Sequence, residues 1–139
     1  MSELQYLSQF REQIVQFIDE LIENFPNYPE FILIRVFIKD RLPIVDILGR
    51  FISEILQYRQ LVYNKEPQFF ESIDCIYDIF GENGKILKKI WETEVTNDDD
   101  RDTIWQWMTL FCKLAMRYYK KYGFIDDWKC DPSLLEDKN

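Results

Sequence analysis

The sequence predicts an all-α fold: a single compact bundle of about five to six helices around a long C-terminal helix at 98–122. Three observations predict it. Hydrophobic residues make up 47% of the 139 residues and aromatics 17%, enough material for a packed core. Glycine (4) and proline (5) are scarce, which suits helices joined by short connections. Between Asp98 and Tyr122, the residues Ile104, Met108, Phe111, Ala115, Tyr118 and Tyr122 recur at alternating steps of four and three, one face of a helix. Trp105, Trp107, Leu110, Cys112, Leu114 and Tyr119 flank that stripe. A polar strip remains at Asp102, Gln106, Thr109, Lys113, Arg117 and Lys120. A helix apolar around most of its girth belongs at the centre, so Phe111 and Leu114 are expected to be nearly fully buried.

The remaining elements follow in chain order. Ser2 and Gln5 form a capping box, and Leu7, Phe10, Ile14, Phe17, Ile18 and Leu21 carry a helix from Glu3 to Asn24. Its outer face bears Glu12, Asp19, Glu20 and Glu23 against Arg11. Pro26 and Pro29 push Phe25 and Tyr28 out of helical backbone and break the element. From Pro29 to Asp40 the apolar run from Phe31 to Ile38 fits a helix or a buried strand; flanking charges and its place between helices favour helix. Pro43 opens a third helix through Ile44, Ile47, Leu48, Phe51, Ile52, Ile55 and Leu56, ending between Tyr58 and Tyr63. Gly49 inside it costs about 1 kcal/mol relative to alanine, so close approach of another helix is expected there.

Asn64 to Pro67 is a connection, and Phe69 and Phe70 sit in a single helical turn. Ile73, Ile76, Tyr77 and Phe80 fit a short helix ended by Gly81. Glu82, Asn83 and Gly84 read as a turn. Ile86, Leu87, Ile90 and Trp91 fit another short helix closing near Glu94, and Thr96 and Asn97 lead into the long helix. Gly123 ends that helix with left-handed backbone. The chain divides into a helical domain, 1–123, and an acidic, aromatic-containing tail, 124–139.

The chain carries a net charge of −8. Nucleic acids and anionic membranes both favour basic surfaces, so neither is an expected partner. A basic protein partner fits the charge better than a nucleic acid or membrane does, and plain solubility is its ordinary explanation. The run Phe31 to Ile38 is too short to span a bilayer, and Met1 leads into a capped polar helix rather than a secretory signal. Cys75, Cys112 and Cys130 lack zinc-ligand spacing and the chain has no histidine, which predicts reduced, intracellular cysteines.

No metal site or cofactor is expected. Asp98, Asp99, Asp100 and Asp102 lack the ligand spacing of a calcium loop, and acids at a helix start complement the macrodipole. Lys113, Arg117, Lys120 and Lys121 complement its other end. Without histidine the usual hydrolytic triads are excluded, and Gly81 and Gly84 make no phosphate loop. The adjacent acids Glu92 and Glu94, or Asp126 and Asp127, could serve as acid and base, but surface acids are ordinary in an acidic chain. No catalytic residue is expected. Aromatics near Lys113 and Arg117 could stack on bases, but their helical period assigns them to the core.

Phe17-x3-Leu21-Ile22-x2-Phe25-Pro26-Asn27, then Pro43, Phe69-Phe70, Ile90-Trp91 and Ile104-Trp105 form an ordered pattern. Over Leu7 to Tyr122 it resembles small helical proteins of nucleocytoplasmic large DNA viruses, the giant viruses and their algal-virus relatives. The resemblance implies a viral protein of the host cytoplasm, viral factory or virion, with a role in virion structure or assembly. It carries over no catalytic residue. A second pattern, Leu48-Gly49-Arg50 followed by Phe51 and Ile52, with a tryptophan-bearing helix start further on, resembles viral Bcl-2-like proteins. That family binds an amphipathic helix in a groove. Here Leu48 stands where its tryptophan usually precedes the glycine.

The expected function is therefore a non-enzymatic protein–protein interaction or assembly role. The alternatives are a Bcl-2-like groove regulator and a small enzyme of unrecognised type. The expected partner-binding residues lie in the tail, with Trp128 as anchor, Leu134 and Leu135 beside it, and Asp126 and Asp127 steering a basic partner. The partner could equally be a second copy or a larger assembly. Trp128 has an alternative place, folded back over the C-terminal end of the long helix.

Overall fold

The computed structural model describes residues 1–40 (Asp40 by its backbone), 43–93 and 97–136. In chain order its α-helices are α1 (Glu3–Asn24), α2 (Glu30–Asp40), α3 (Ile44–Arg50), α4 (Arg59–Tyr63), α5 (Gln68–Ser72), α6 (Cys75–Asp78), α7 (Ile86–Glu92) and α8 (Asp98–Tyr122). The expected close of a helix near Glu94, the lead-in at Thr96 and the tail's last residues, 137–139, lie outside the described residues.

Helices α1 and α8 are the two long elements, and they lie antiparallel. Tyr118 Oη donates to Glu3 at 2.7 Å, Lys121 Nζ donates to the Met1 carbonyl at 2.8 Å, and Trp107 Nε1 donates to Glu20 at the far end of the pair. Both helices start on complete capping boxes, Ser2 with Gln5 and Asn97 with Asp100. Each such cap is worth about 1 kcal/mol.

Two aromatic clusters fill the interior. Phe111 meets Phe10, Phe17 and Phe51 at ring-centre distances of 6.0, 5.5 and 6.3 Å, joining α1, α8 and the third helical run. Phe70 meets Trp91 at 4.2 Å and Trp105 at 4.8 Å, which fastens α5 and α7 to α8. These spacings are those of favourable aromatic pairs. Phe111 is fully buried and Leu114 nearly so.

The run Phe31 to Ile38 is helical. Phe31, Ile34 and Ile38 point inward, and Arg35 crosses to α1 with Nε 2.5 Å from Asp19.

The third helical run was expected as one α-helix, and it departs from that geometry in the middle. Phe51–Ile55 is a π-helical turn, with the Leu56 N–H bonded to Phe51 O, and Leu56–Tyr58 is 3-10 helical before α4 resumes. The buried residues explain the departure. Ile47, Phe51, Ile55 and Arg59 recur every four positions, as do Leu48, Ile52 and Leu56. That repeat is longer than the 3.6 residues of an α-helical turn, so the stripe would drift off the core. One wider turn absorbs the difference.

Gly81 and Gly123 both have positive φ, 81° and 78°, at helix ends as expected. At Gly123 the N–H bonds to Tyr119 O at 2.8 Å.

Candidate interaction surfaces

The tail's described residues fold back onto the body. Phe124 stacks on Tyr119 at 4.9 Å, and a tight turn through exposed Asp126 and Asp127 pairs Ile125 with Trp128. The indole of Trp128 lies over Gly49 of α3, where an added Cβ would stand only 2.5 Å from Trp128 Cδ1. Close approach of another helix was expected at Gly49; the neighbour is instead Trp128, from a non-helical stretch of the tail. Trp128 Nε1 donates a long hydrogen bond of 3.4 Å to Asp46, and the Arg50 guanidinium sits 5.4 Å from the indole centre.

Four residues on, a short 3-10 turn, Pro132–Leu135, seats Leu135 in the core at 3% exposure. Arg59 clasps it there. Nη1 donates to Leu56 O at 3.0 Å and to Leu134 O at 3.1 Å, and Nη2 donates to Glu136 O at 3.1 Å. A buried guanidinium needs such acceptors, because leaving it without them costs several kcal/mol. Of the five residues expected to meet a partner, Trp128 and Leu135 are thus engaged within the chain. Leu134, Asp126 and Asp127 are exposed.

A group of exposed apolar side chains lies elsewhere. On α2, Ile32, Leu33 and Val36 are 52%, 52% and 47% exposed, and their spacing puts them on one outward face. Sequence reading weighed this run as a helix or a buried strand, favoured helix, and named no exposed face on it. The missed signal was excess: a helix apolar on all sides has more apolar surface than one buried face can take.

Asn97 and Asp100 cap α8, and Asp102 lies 3.6 Å from Lys65. Among the described residues no group of three or more Cys, Asp or Glu side chains converges as metal ligands would. Glu92 is exposed, and its neighbour in the candidate acid pair, Glu94, lies outside the described residues. Among the described residues are open surface hollows of about 280 Å³ along α1 between Leu4 and Glu12 and of about 390 Å³ between Glu30 and Lys89. Neither gathers buried acids. No described helix is long and apolar enough to cross a membrane.

All three cysteines are free thiols. Burial pushes Cys75 up to about 11, with Glu54 adding to the shift, and pushes Cys112 up to about 12. Burial also raises Tyr77 and Tyr118, the latter helped by its hydrogen bond to Glu3. The folded state therefore prefers every one of these groups neutral. The stability they contribute is complete below the ordinary thiol value of 9.0 and is lost as pH rises towards the folded values. Urea titration should show the unfolding midpoint falling steadily from pH 9 to pH 11; a flat curve over that window would place the thiols in water.

Compared with family models, with curated proteins and with solved structures, the chain matches none.

Proposed function

We propose that the chain is a non-enzymatic interaction protein that docks a protein partner on the outward face of α2. Following the viral resemblance of the sequence, its setting would be virion structure or assembly in an infected cell. The observation that carries the docking reading is the half-exposed triad Ile32, Leu33 and Val36 on one helical face. Apolar side chains grouped in this way mark interaction sites more often than isolated ones do. Covering the exposed halves of the three is worth about 3 kcal/mol, roughly a hundredfold in affinity. The net charge of −8 favours a basic partner and would act mainly on the rate of encounter.

The test compares wild-type chain with an Ile32→Ser, Leu33→Ser, Val36→Ser variant as baits in infected-cell extract, followed by titration of any differential partner in purified form. A partner should bind the variant about 100-fold more weakly, while the variant melts within a few degrees of wild type. Equal retention of every partner by both baits would remove α2 from the docking role. Mass spectrometry of purified virions tests the assembly setting separately.

A further inference from the structure

One acid holds the start of the turn that seats Leu135. Asp131 caps the 3-10 turn Pro132–Leu135. Its Oδ1 accepts from the Ser133 N–H at 3.0 Å, and its main-chain oxygen accepts from the Leu134 N–H at 3.1 Å. The Ser133 hydroxyl adds a side-chain hydrogen bond to the same carboxylate. The backbone bond first, and the hydroxyl bond with it, hold the Asp131 carboxyl below the usual carboxylate range. Ser133 is itself exposed. Among the described serines and threonines, it alone has an acidic residue three positions on, Glu136. Asp137 follows in the sequence. Acids placed after an exposed hydroxyl suit an enzyme whose substrate groove is basic.

We propose that Ser133 is a phosphorylation site and that its phosphate unlatches the tail from the helical run 44–63. The γ-phosphoryl group of a nucleoside triphosphate passes to Ser133 Oγ. A phosphorus–oxygen bond to the serine forms as the bond to the departing nucleoside diphosphate breaks, and the hydroxyl proton goes to the base of the kinase. The product carries nearly two negative charges where the hydroxyl was, against the carboxylate that caps the turn. The oxygen can no longer donate to Asp131, and the two anions repel. Glu136 adds a further carboxylate on the same turn. The neighbouring cations are already engaged. Arg59 is buried with its nitrogens on the carbonyls of Leu56, Leu134 and Glu136, and Arg50 lies over the Trp128 indole beside Glu54. Without its cap the turn opens, and the seat of Leu135 and the carbonyls that Arg59 holds go with it.

The site is tested by incubating the full-length chain with ATP and an acid-directed serine kinase and mapping the product by mass spectrometry. Phosphate should appear at Ser133, be absent there from Ser133→Ala, and accumulate more slowly on Glu136→Gln. A chain left unmodified at Ser133 overturns the proposal. The latch is read by hydrogen exchange of residues 124–136 with and without the phosphate. Phosphorylation should speed exchange there about tenfold, the shift expected from a dianion beside a carboxylate in water. Helices α1 and α8 should keep their protection, and phosphatase treatment should restore the slow rate. Ser133→Ala removes the hydroxyl without adding charge and should exchange within about twofold of wild type, as surface substitutions do. Unchanged or slower exchange in the phosphorylated chain overturns the latch. So does exchange in Ser133→Ala as fast as in the phosphorylated chain, which traces the effect to the lost hydroxyl bond.

Discussion

Phe111→Ala is expected to lower folding stability by about 3–5 kcal/mol. The ring is fully buried in the middle of α8 and touches the rings of Phe10, Phe17, Phe51 and Trp107 at once. Those four come from α1, from the π-helical turn and from α8 itself, so no single neighbour can move in to fill the space. The loss is therefore the full transfer energy of the ring plus most of the cavity term, and collapse recovers little. Urea titration followed by circular dichroism measures it. A loss below 1 kcal/mol would mean that Phe111 is not at the junction of the three elements.

Gly84→Ala is expected to cost about 3 kcal/mol, at the upper end for one added methyl group. Gly84 is buried in the 3-10 turn Glu82–Lys85. An added Cβ would run into the carbonyl oxygen of Tyr77, with its carbonyl carbon at 2.9 Å and Phe80 Cβ at 3.4 Å. The obstacle is backbone rather than the flexible end of a side chain. Neither partner can yield easily. Tyr77 is buried and anchored by its hydroxyl, which donates to Phe70 O, and the Gly84 N–H is bonded to Gly81 O at 3.0 Å. Gly123→Ala is the control. It meets nothing within 4 Å and carries only the backbone strain of φ 78°, ψ −158°, about 1–3 kcal/mol. A loss below 1 kcal/mol at Gly84 would refute the packing of 82–85 against α6.

The contrast between Gly84 and Gly49 shows where sequence reading succeeds. Gly49 interrupts a strong helical period, so a close neighbour was expected there, although not that the neighbour would be Trp128 from the tail. Gly84 sits among turn-forming residues, and nothing local separates a glycine needed for its backbone from one needed for its lack of bulk. The long helices were legible because their apolar stripes run for five turns or more and their caps are local chemistry. The π-helical turn was written in the four-residue spacing of Ile47, Phe51, Ile55 and Arg59, but Arg59 hid the pattern by being a buried cation. Its guanidinium reaches the carbonyls of Leu134 and Glu136, some seventy-five residues away, as well as that of Leu56. The α2 surface was missed for a different reason. Composition shows that a helix is apolar, and only the packed structure shows that its neighbours cover one side.

The pairing of α1 with α8 has a consequence for the order of events on the ribosome. The apolar stripe of α1 is complete once Asn24 has been made, yet its long antiparallel mate ends at Tyr122. At ordinary elongation speeds the gap between them lasts about 5–20 s. For that interval Phe10 and Phe17 lack the ring of Phe111, and only α2 and the third helical run can shield them. Contacts spanning most of the chain are the slowest to close and leave nascent apolar surface open longest. The early helices must therefore hold a provisional core among themselves, and the last helix completes it by insertion.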